Sequence, residues 1–144
     1  MSAESNKALS RRLLEEAFNV GNIDVIDELV TTDFVNHDAA LPEPMVGPDA
    51  AKATISGYRT AFPDLRITIE EQIADEQGVA TRWSAKGTHE GDLMGMAPTG
   101  KQSTVTGITI DRIVDGRIAE SWTNWDTLGM LQQLGVVPVL ATTA

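Results

Sequence analysis

The segment from residue 105 to residue 134 constrains the fold of this chain more than any other. Apolar and polar residues alternate over residues 105–114, which is the period of a strand with one buried face. Asp115-Gly116 follows as a two-residue turn of the kind that needs positive φ, and residues 117–125 resume the extended pattern. Asp126 then opens a short helix. The segment therefore predicts a strand, a tight hairpin, a second strand and a terminal helix.

The first part of the chain has helical spacing instead. Apolar residues recur every three or four positions over residues 8–18 and over the shorter stretch 24–29. A brief extended piece, residues 34–36, separates the second helix from a third that starts at Gly47-Pro48, because proline suits the first turn of a helix. Pro63 ends this third helix. Three helices are therefore expected before the strands begin.

Period-two alternation predicts strands near residues 65–74, 78–88, 102–114 and 117–125, with a helix near 127–134. Helices that precede an antiparallel meander indicate an α+β fold in which helices pack on one face of a curved antiparallel sheet. The 144 residues, 42% of them hydrophobic, suffice for one core, so a single domain over residues 1–144 is expected.

Composition excludes several classes of partner. The net charge of −10 would repel nucleic acid and anionic lipid, so neither nucleic-acid binding nor membrane binding is expected. The absence of cysteine excludes disulfides and thiolate metal sites, and no pair of histidines has metal-ligand spacing. The N-terminal residues are charged and amphipathic, unlike a signal peptide or membrane anchor, which favours the cytoplasm.

Two long loops, residues 38–47 and 90–101, are candidates for lids over a binding site. The second contains three glycines as hinges together with Met94 and Met96, whose flexible thioethers suit contact with an irregular apolar ligand. The same two methionines could pack between subunits instead.

Three runs of sequence resemble one family. They are GTHEGDLMGMAPTGK at 87–101, RIVDGRIAESW at 112–122 and DTLGMLQQLG at 126–135. In this order and spacing, with FPD at 62–64, they resemble the SnoaL-like polyketide cyclases, also called ester cyclases, over nearly the whole chain. The resemblance implies a nuclear-transport-factor-2-like cone with an apolar pocket. It also implies intramolecular aldol closure of a poly-β-keto ester without a cofactor or metal.

The resemblance further implies where acid–base groups would lie. In the best-known cyclases of the family an aspartate of the last strand takes and returns the proton. Aligned without gaps, that position is Thr123 here, and the position of a companion histidine is Thr109. Neither threonine can be a general base near neutral pH. Either the base lies elsewhere in the pocket, or the reaction differs, or the chain only binds its ligand.

Three other side chains are candidate bases. Asp126 is the nearest carboxylate to Thr123, although an aspartate just before a helix is also a common N-cap. His37 lies beside Asp38, so the two could form a polarised pair at the mouth of the cone, or His37 could be a solvated loop residue. His89 could donate to a substrate carbonyl or merely hold its turn.

The three tryptophans all fall on predicted strands. Strand alternation places Trp125 on the same face as Thr123, with Trp122 on the opposite face, while Trp83 shares a face with Thr81. We therefore expect Trp83, Trp125 and the two threonines Thr109 and Thr123 to contact a substrate, although tryptophans serve more often in cores and subunit interfaces.

The function that these residues favour is a cofactor-independent cyclase or isomerase acting on a small, apolar, polyketide-like carbonyl compound by proton abstraction. Two alternatives stay open: a non-catalytic small-molecule binding module, and a lyase or hydrolase in which polar pocket residues position water. Apolar residues on the other sheet face, Ile108, Ile110 and Ile118, favour a homo-oligomer, either a dimer or a tetramer.

Overall fold

A computed structural model describes residues 2–139. It contains a six-stranded sheet and helices in the order α1 (Ala3–Arg12), a π-helical segment (Leu13–Val20), a 3₁₀ turn (Ile23–Val25), α2 (Ile26–Leu29), β1 (Val30–Asp38), β2 (Met45–Val46), α3 (Pro48–Ala61), β3 (Arg66–Ala74), β4 (Gly78–Thr88), β5 (Gln102–Val114), β6 (Arg117–Trp125) and α4 (Thr127–Gln133). The helices and the four long C-terminal strands confirm the predicted element order and the α+β fold.

The strands follow the spatial order β2-β1-β6-β5-β4-β3. Strands β3 to β6 form the expected antiparallel meander, whereas β1 runs parallel to β6. The sheet is therefore mixed, and the parallel pair joins the N-terminal part of the chain to the last strand. Its register places Asn36 opposite Ser121 and Asp38 opposite Thr123.

Strand β1 is longer than the sequence pattern predicted. The prediction gave it only residues 34–36, but it spans nine residues, Val30–Asp38. Thr31, Thr32 and Asp33 interrupt the apolar alternation, so the sequence pattern does not indicate a strand there. The strand pairs with β6 on both sides of these residues, at Val30 and at residues 35–38, with an irregularity between them. As a result residues 37 and 38, which were expected to follow the strand, lie in the sheet.

The sequence correctly indicates where the backbone takes positive φ values at a turn and at a helix end. Asp115 and Gly116 have φ of 51° and 77°, which confirms the predicted hairpin. Gly21, with φ of 86°, ends the π-helical segment where the first helix was expected to stop. The first helix begins earlier than predicted, at Ala3, because Ser2 and Ser5 form a reciprocal capping box.

A bulge in β6 changes which residues face outward. The β5–β6 register shifts between Arg112 and Ile113, so that Ile118 and Ser121 both point inward although they are three residues apart. Ile118 is fully buried in the core, and its predicted place on the outer face is wrong. Ile108 and Ile110 do lie on that face, each about half exposed.

We expect copies of the chain to associate through this outer face, where Trp122 lies near the two isoleucines in the sheet. Light scattering of the wild type should then give a mass above the 15.5 kDa of one chain. Ile110→Glu should lower that mass because it introduces a charge into an apolar contact. Ala53→Glu, at an exposed position of α3, is the control, and equal masses for all three proteins would contradict the prediction.

Candidate active site

A cavity of about 150 Å³ lies between the inner face of the sheet and the helices. Most of its lining is apolar, and includes Leu14, Phe18, Phe34, Ile55, Phe62, Val105 and Met130. Strands β1, β4, β5 and β6 add a few polar side chains to one wall. This combination, an apolar cavity with convergent polar groups, is the usual form of a small-molecule site.

The predicted substrate-binding residues of the strands meet in this cavity. Trp83, Thr109, Thr123 and Trp125 all line it. The indole nitrogen of Trp83 donates to Thr109 Oγ1 at 3.0 Å, the hydroxyls of Thr109 and Thr123 are 3.4 Å apart, and Thr123 donates to Asn36 Oδ1 at 3.3 Å. The two threonines thus belong to a hydrogen-bond chain that joins four strands, β4, β5, β6 and β1.

Gly107 allows Trp83 to take this position. The indole of Trp83 lies directly over Gly107 on the neighbouring strand, and a Cβ atom at that position would lie 2.3 Å from the ring. Because glycine has no side chain, the aromatic ring can cover the backbone there. This part of the cavity wall therefore depends on two facing residues, Trp83 on β4 and Gly107 on β5.

Asp38 places a carboxylate in the cavity. Both of its oxygens accept from the indole nitrogen of Trp125, at 3.2 and 3.3 Å, and Oδ1 also accepts from the backbone N–H of Ala40 at 2.8 Å. Asp38 is the last residue of β1, and its neighbour His37 points to the opposite face of the sheet. The carboxylate is thereby oriented by two donors, and Oδ2 retains capacity to accept a proton.

Asp111 is a second carboxyl on the cavity wall, in a different environment. It is almost fully buried and accepts from the hydroxyls of Ser10 and Ser121, at 2.6 and 2.5 Å. Burial raises the pKa of Asp111 above its usual range, and the two serine hydroxyls partly offset that effect. Ser10 comes from α1, so this cluster also ties the first helix to the sheet.

The three predicted bases lie outside the lining of this cavity. Asp126 is exposed, and its carboxylate accepts from the backbone N–H of Gly129 at 2.8 Å as the N-cap of α4. His37 lies on the outer face, where its Nε2 is 2.7 Å from Glu120 and its ring stacks on Trp122. The contact with His37 lowers the pKa of Glu120, as does Arg112.

His89 is fully buried where β4 enters the glycine loop. Its Nδ1 accepts from the backbone N–H of Thr99 at 3.2 Å, while its Nε2 has no hydrogen-bond partner. The backbone of His89 also bonds to Lys101 and Gly100 across the base of the loop. These contacts hold the two ends of the loop together.

The glycine loop itself is tied to the end of α3. Glu90 and Gly91 both donate to the carbonyl of Ala61. Met94 is half exposed at a tight turn, and Met96 packs partly buried against the core; neither lines the cavity. The methionines that do line it are Met45 of β2 and Met130 of α4. A lid role for the glycine loop stays a prediction.

Sequence reasoning underrated Asp38 and missed Asp111 and Tyr58 as cavity residues. Asp38 was considered only as a partner of His37, because β1 was taken to end before it. Had the extended stretch been continued to residue 38, alternation from Phe34 through Asn36 would have placed Asp38 on the inner face. Asp111 alternates with Thr109 in the same way, and Tyr58 follows Ile55 at helical spacing.

Nothing among residues 2–139 gathers three or more potential metal-ligating side chains of the His, Cys, Asp and Glu types. In that same part of the chain, no helix has the length and hydropathy needed to cross a bilayer.

Burial of Asp111 predicts a pH-dependent stability. Between its pKa in the unfolded chain, near 3.8, and the raised pKa in the folded state, the folded protein binds more protons. The free energy of unfolding should therefore fall as pH rises through this window. Thermal unfolding between pH 4 and pH 8 measures this. As pH rises, Asp111→Asn should become more stable relative to the wild type, whereas Asp115→Asn, an exposed control, should not. If the stability difference between Asp111→Asn and the wild type does not change with pH, the raised pKa of Asp111 is contradicted.

A lid would make the exchange of loop amides depend on ligand. We expect the amides of residues 94–97, which lie beyond the anchored base of the glycine loop, to exchange more slowly when the cavity is occupied. Hydrogen exchange with and without a cavity ligand measures this. Equal exchange in the two states would identify a static loop.

Comparison with known proteins agrees with this architecture. The family model for SnoaL-like polyketide cyclase matches residues 8–134. Aklanonic acid methyl ester cyclase DnrD of Streptomyces peucetius is 34% identical over 130 residues, covering 88% of each chain. Nogalonic acid methyl ester cyclase of Streptomyces nogalater is 32% identical over 121 residues, covering 83% of this chain and 90% of its own.

Solved structures show the same fold. IdmH of Streptomyces antibioticus, a proposed polyketide cyclase, superposes with a TM-score of 0.77 at 34% identity, covering 91% of this chain and 99% of its own. AclR of Streptomyces galilaeus, a proposed hydroxylase, gives a TM-score of 0.84 at 28% identity, covering 98% of this chain and 87% of its own. Together with the sequence relatives, they show that the chain belongs to the SnoaL-like polyketide cyclase family.

Proposed function

We propose that the protein closes a ring in a small polyketide-like carbonyl compound by acid–base catalysis in the cavity, with Asp38 as the base and without a cofactor. The observation that carries this proposal is the orientation of Asp38: this residue lines a mostly apolar cavity, and its carboxylate is held by the indole of Trp125. A positioned carboxylate is the group that such a reaction requires.

The reaction proceeds in two steps. Asp38 removes a proton from a carbon between two carbonyl groups, and the electron pair of the broken C–H bond moves into an enolate. The enolate carbon then attacks a second carbonyl of the same molecule, forming the new C–C bond. Asp38 returns its proton to the resulting alkoxide, so the product is an isomer of the substrate.

The polar contacts of Asp38 suit both steps. Trp125 and the N–H of Ala40 stabilise the ionised carboxylate before reaction, and Oδ2 is free of the Ala40 contact. The apolar walls formed by residues such as Phe34 and Ile55 exclude water, which strengthens electrostatic interactions inside the cavity.

The size of the cavity limits how much substrate it can enclose. A volume of about 150 Å³ is enough for a benzene-sized ring. The reacting ring would therefore be enclosed while the rest of a polycyclic substrate extends outside. The relatives are named for methyl esters of aklanonic and nogalonic acid, so we choose a methyl ester of this class as the first substrate to test.

A binding module is the second candidate. The pair Thr109 and Thr123, at the positions where the resemblance implies catalytic groups, forms hydrogen bonds within the wall and has no basic atom. Under this alternative the cavity would hold the same class of ligand without turnover. We place either function in the cytoplasm, in keeping with the acidic charge and the absence of cysteine.

Asp38→Asn should reduce turnover by roughly 10²-fold or more, because it keeps the size of the side chain but removes the basic oxygen. The assay incubates purified protein with aklanonic acid methyl ester and a chelator, and follows a product of unchanged mass by liquid chromatography and mass spectrometry. Retention of full activity by Asp38→Asn would reject Asp38 as the base.

Asp126→Asn and His37→Gln are matched comparisons, since they test the bases that the sequence predicted. If Asp126 acts as the cap of α4, its substitution should cost at most about 1 kcal/mol of stability and leave turnover nearly intact. If either variant loses activity while Asp38→Asn keeps it, the base is that residue. Ligand binding without turnover by the wild type would favour the binding module.

A further inference from the structure

Tyr58 carries a buried hydroxyl with no hydrogen-bond partner. Among residues 2–139, the buried side-chain atoms without a partner are Thr31 Oγ1, Tyr58 Oη and His89 Nε2. Of these three residues, only Tyr58 lines the cavity. A buried hydroxyl in a folded protein normally has a partner, so one that lies in a ligand cavity marks a place where a ligand atom can supply it.

The ring of Tyr58 is held beside the proposed base. It lies edge-on to Trp125, with the ring centroids 6.1 Å apart and an angle of 88° between the planes. The indole nitrogen of that same Trp125 donates to Asp38. One indole therefore contacts both the phenol ring on α3 and the carboxylate on β1, and both residues line the same mostly apolar cavity.

Burial also fixes the protonation state of the phenol. The pKa of Tyr58 is raised, mainly because burial disfavours the phenolate and also because the charge of Asp38 repels it. Tyr58 is consequently a neutral hydrogen-bond donor at neutral pH. A neutral donor for the developing oxyanion, beside a carboxylate that accepts the proton, is the pair that enolate chemistry needs.

Several other hydroxyls beside the cavity already have hydrogen-bond partners. Those of Thr109 and Thr123 belong to the hydrogen-bond chain from Trp83 to Asn36. The hydroxyls of Ser10 and Ser121 donate to Asp111.

We propose that Tyr58 is a catalytic residue, whose hydroxyl donates a hydrogen bond to the carbonyl oxygen of the substrate and holds that oxygen as it becomes an enolate. The inference rests on the proposed function, because it assigns the oxygen of the same carbonyl compound from which Asp38 takes the proton. In this step the C–H proton passes to Asp38, the electron pair passes to the oxygen, and the phenol keeps its own proton. The hydrogen bond strengthens as negative charge develops, which is the form of interaction that accelerates a reaction.

A binding experiment tests the donor without requiring turnover. The probes are 1-naphthol, whose oxygen imitates an enol, and naphthalene, which lacks that oxygen. By calorimetry, Tyr58→Phe should weaken 1-naphthol binding about 10-fold and leave naphthalene binding unchanged. Thr31→Val is the matched control, because it removes another unpartnered buried hydroxyl that does not line the cavity, and it should change neither affinity.

Tyr58 is the one tyrosine of the chain, so a spectroscopic measurement is unambiguous. Carbon-13 labelling at the ring carbon that bears the hydroxyl gives a single tyrosine resonance. That resonance should shift on addition of 1-naphthol and less on addition of naphthalene. Identical shifts with the two probes would show that Tyr58 only packs against the ligand, and would overturn the inference.

Turnover separates failure of this inference from failure of the proposed function. With a substrate that the wild type converts, Tyr58→Phe should lower kcat 10- to 100-fold with little change in KM. Unchanged kcat with unchanged 1-naphthol affinity would overturn the role of Tyr58 and leave Asp38 as the base. Loss of 1-naphthol affinity in a protein that converts no substrate would support the donor and reject the cyclase function.

Discussion

The parallel pairing of β1 with β6 is the constraint on which the site depends. It places Asp38 directly opposite Thr123 and brings its carboxylate to the indole nitrogen of Trp125. Side chains alternate along a strand, so a shift of this register by one residue would turn Asp38 to the outer face and bring His37 to the cavity. The register of β1 against β6 therefore decides which side chains of β1 line the cavity.

How far the sequence predicted the structure depended on the range of the interactions involved. The hairpin at Asp115-Gly116 and the long antiparallel strands follow from local conformational preference and alternation, which a sequence displays directly. Strand β1 owes its length to a partner more than eighty residues away, and the inward turn of Ile118 to a bulge that only pairing reveals. Local sequence patterns therefore predict neither the length of β1 nor the direction of Ile118.

The same distinction applies to the site. Thr109, Thr123, Trp83 and Trp125 were predicted to share a pocket, and all four line it, because alternation along regular strands fixes which way they point. Asp126 was ambiguous from sequence, and its carboxylate caps α4. The place of Asp38 in the cavity depends on the end of β1, which was not predicted. The place of Tyr58 depends on how α3 packs against the sheet. Helix docking is a tertiary property that spacing within the helix does not specify.

The position of the proposed base gives a physical account of Thr123. The resemblance implies an acid–base aspartate at the position of Thr123 on β6, while this chain has Asp38 in register with it on β1. Neighbouring strands lie about 4.8 Å apart, so a carboxylate moved across one strand still reaches the same cavity. In the proposed mechanism its companion is Tyr58, which lines the same cavity, rather than a histidine. Under the proposed function, the cavity would therefore keep an acid–base carboxylate although β6 has a threonine at the implied position.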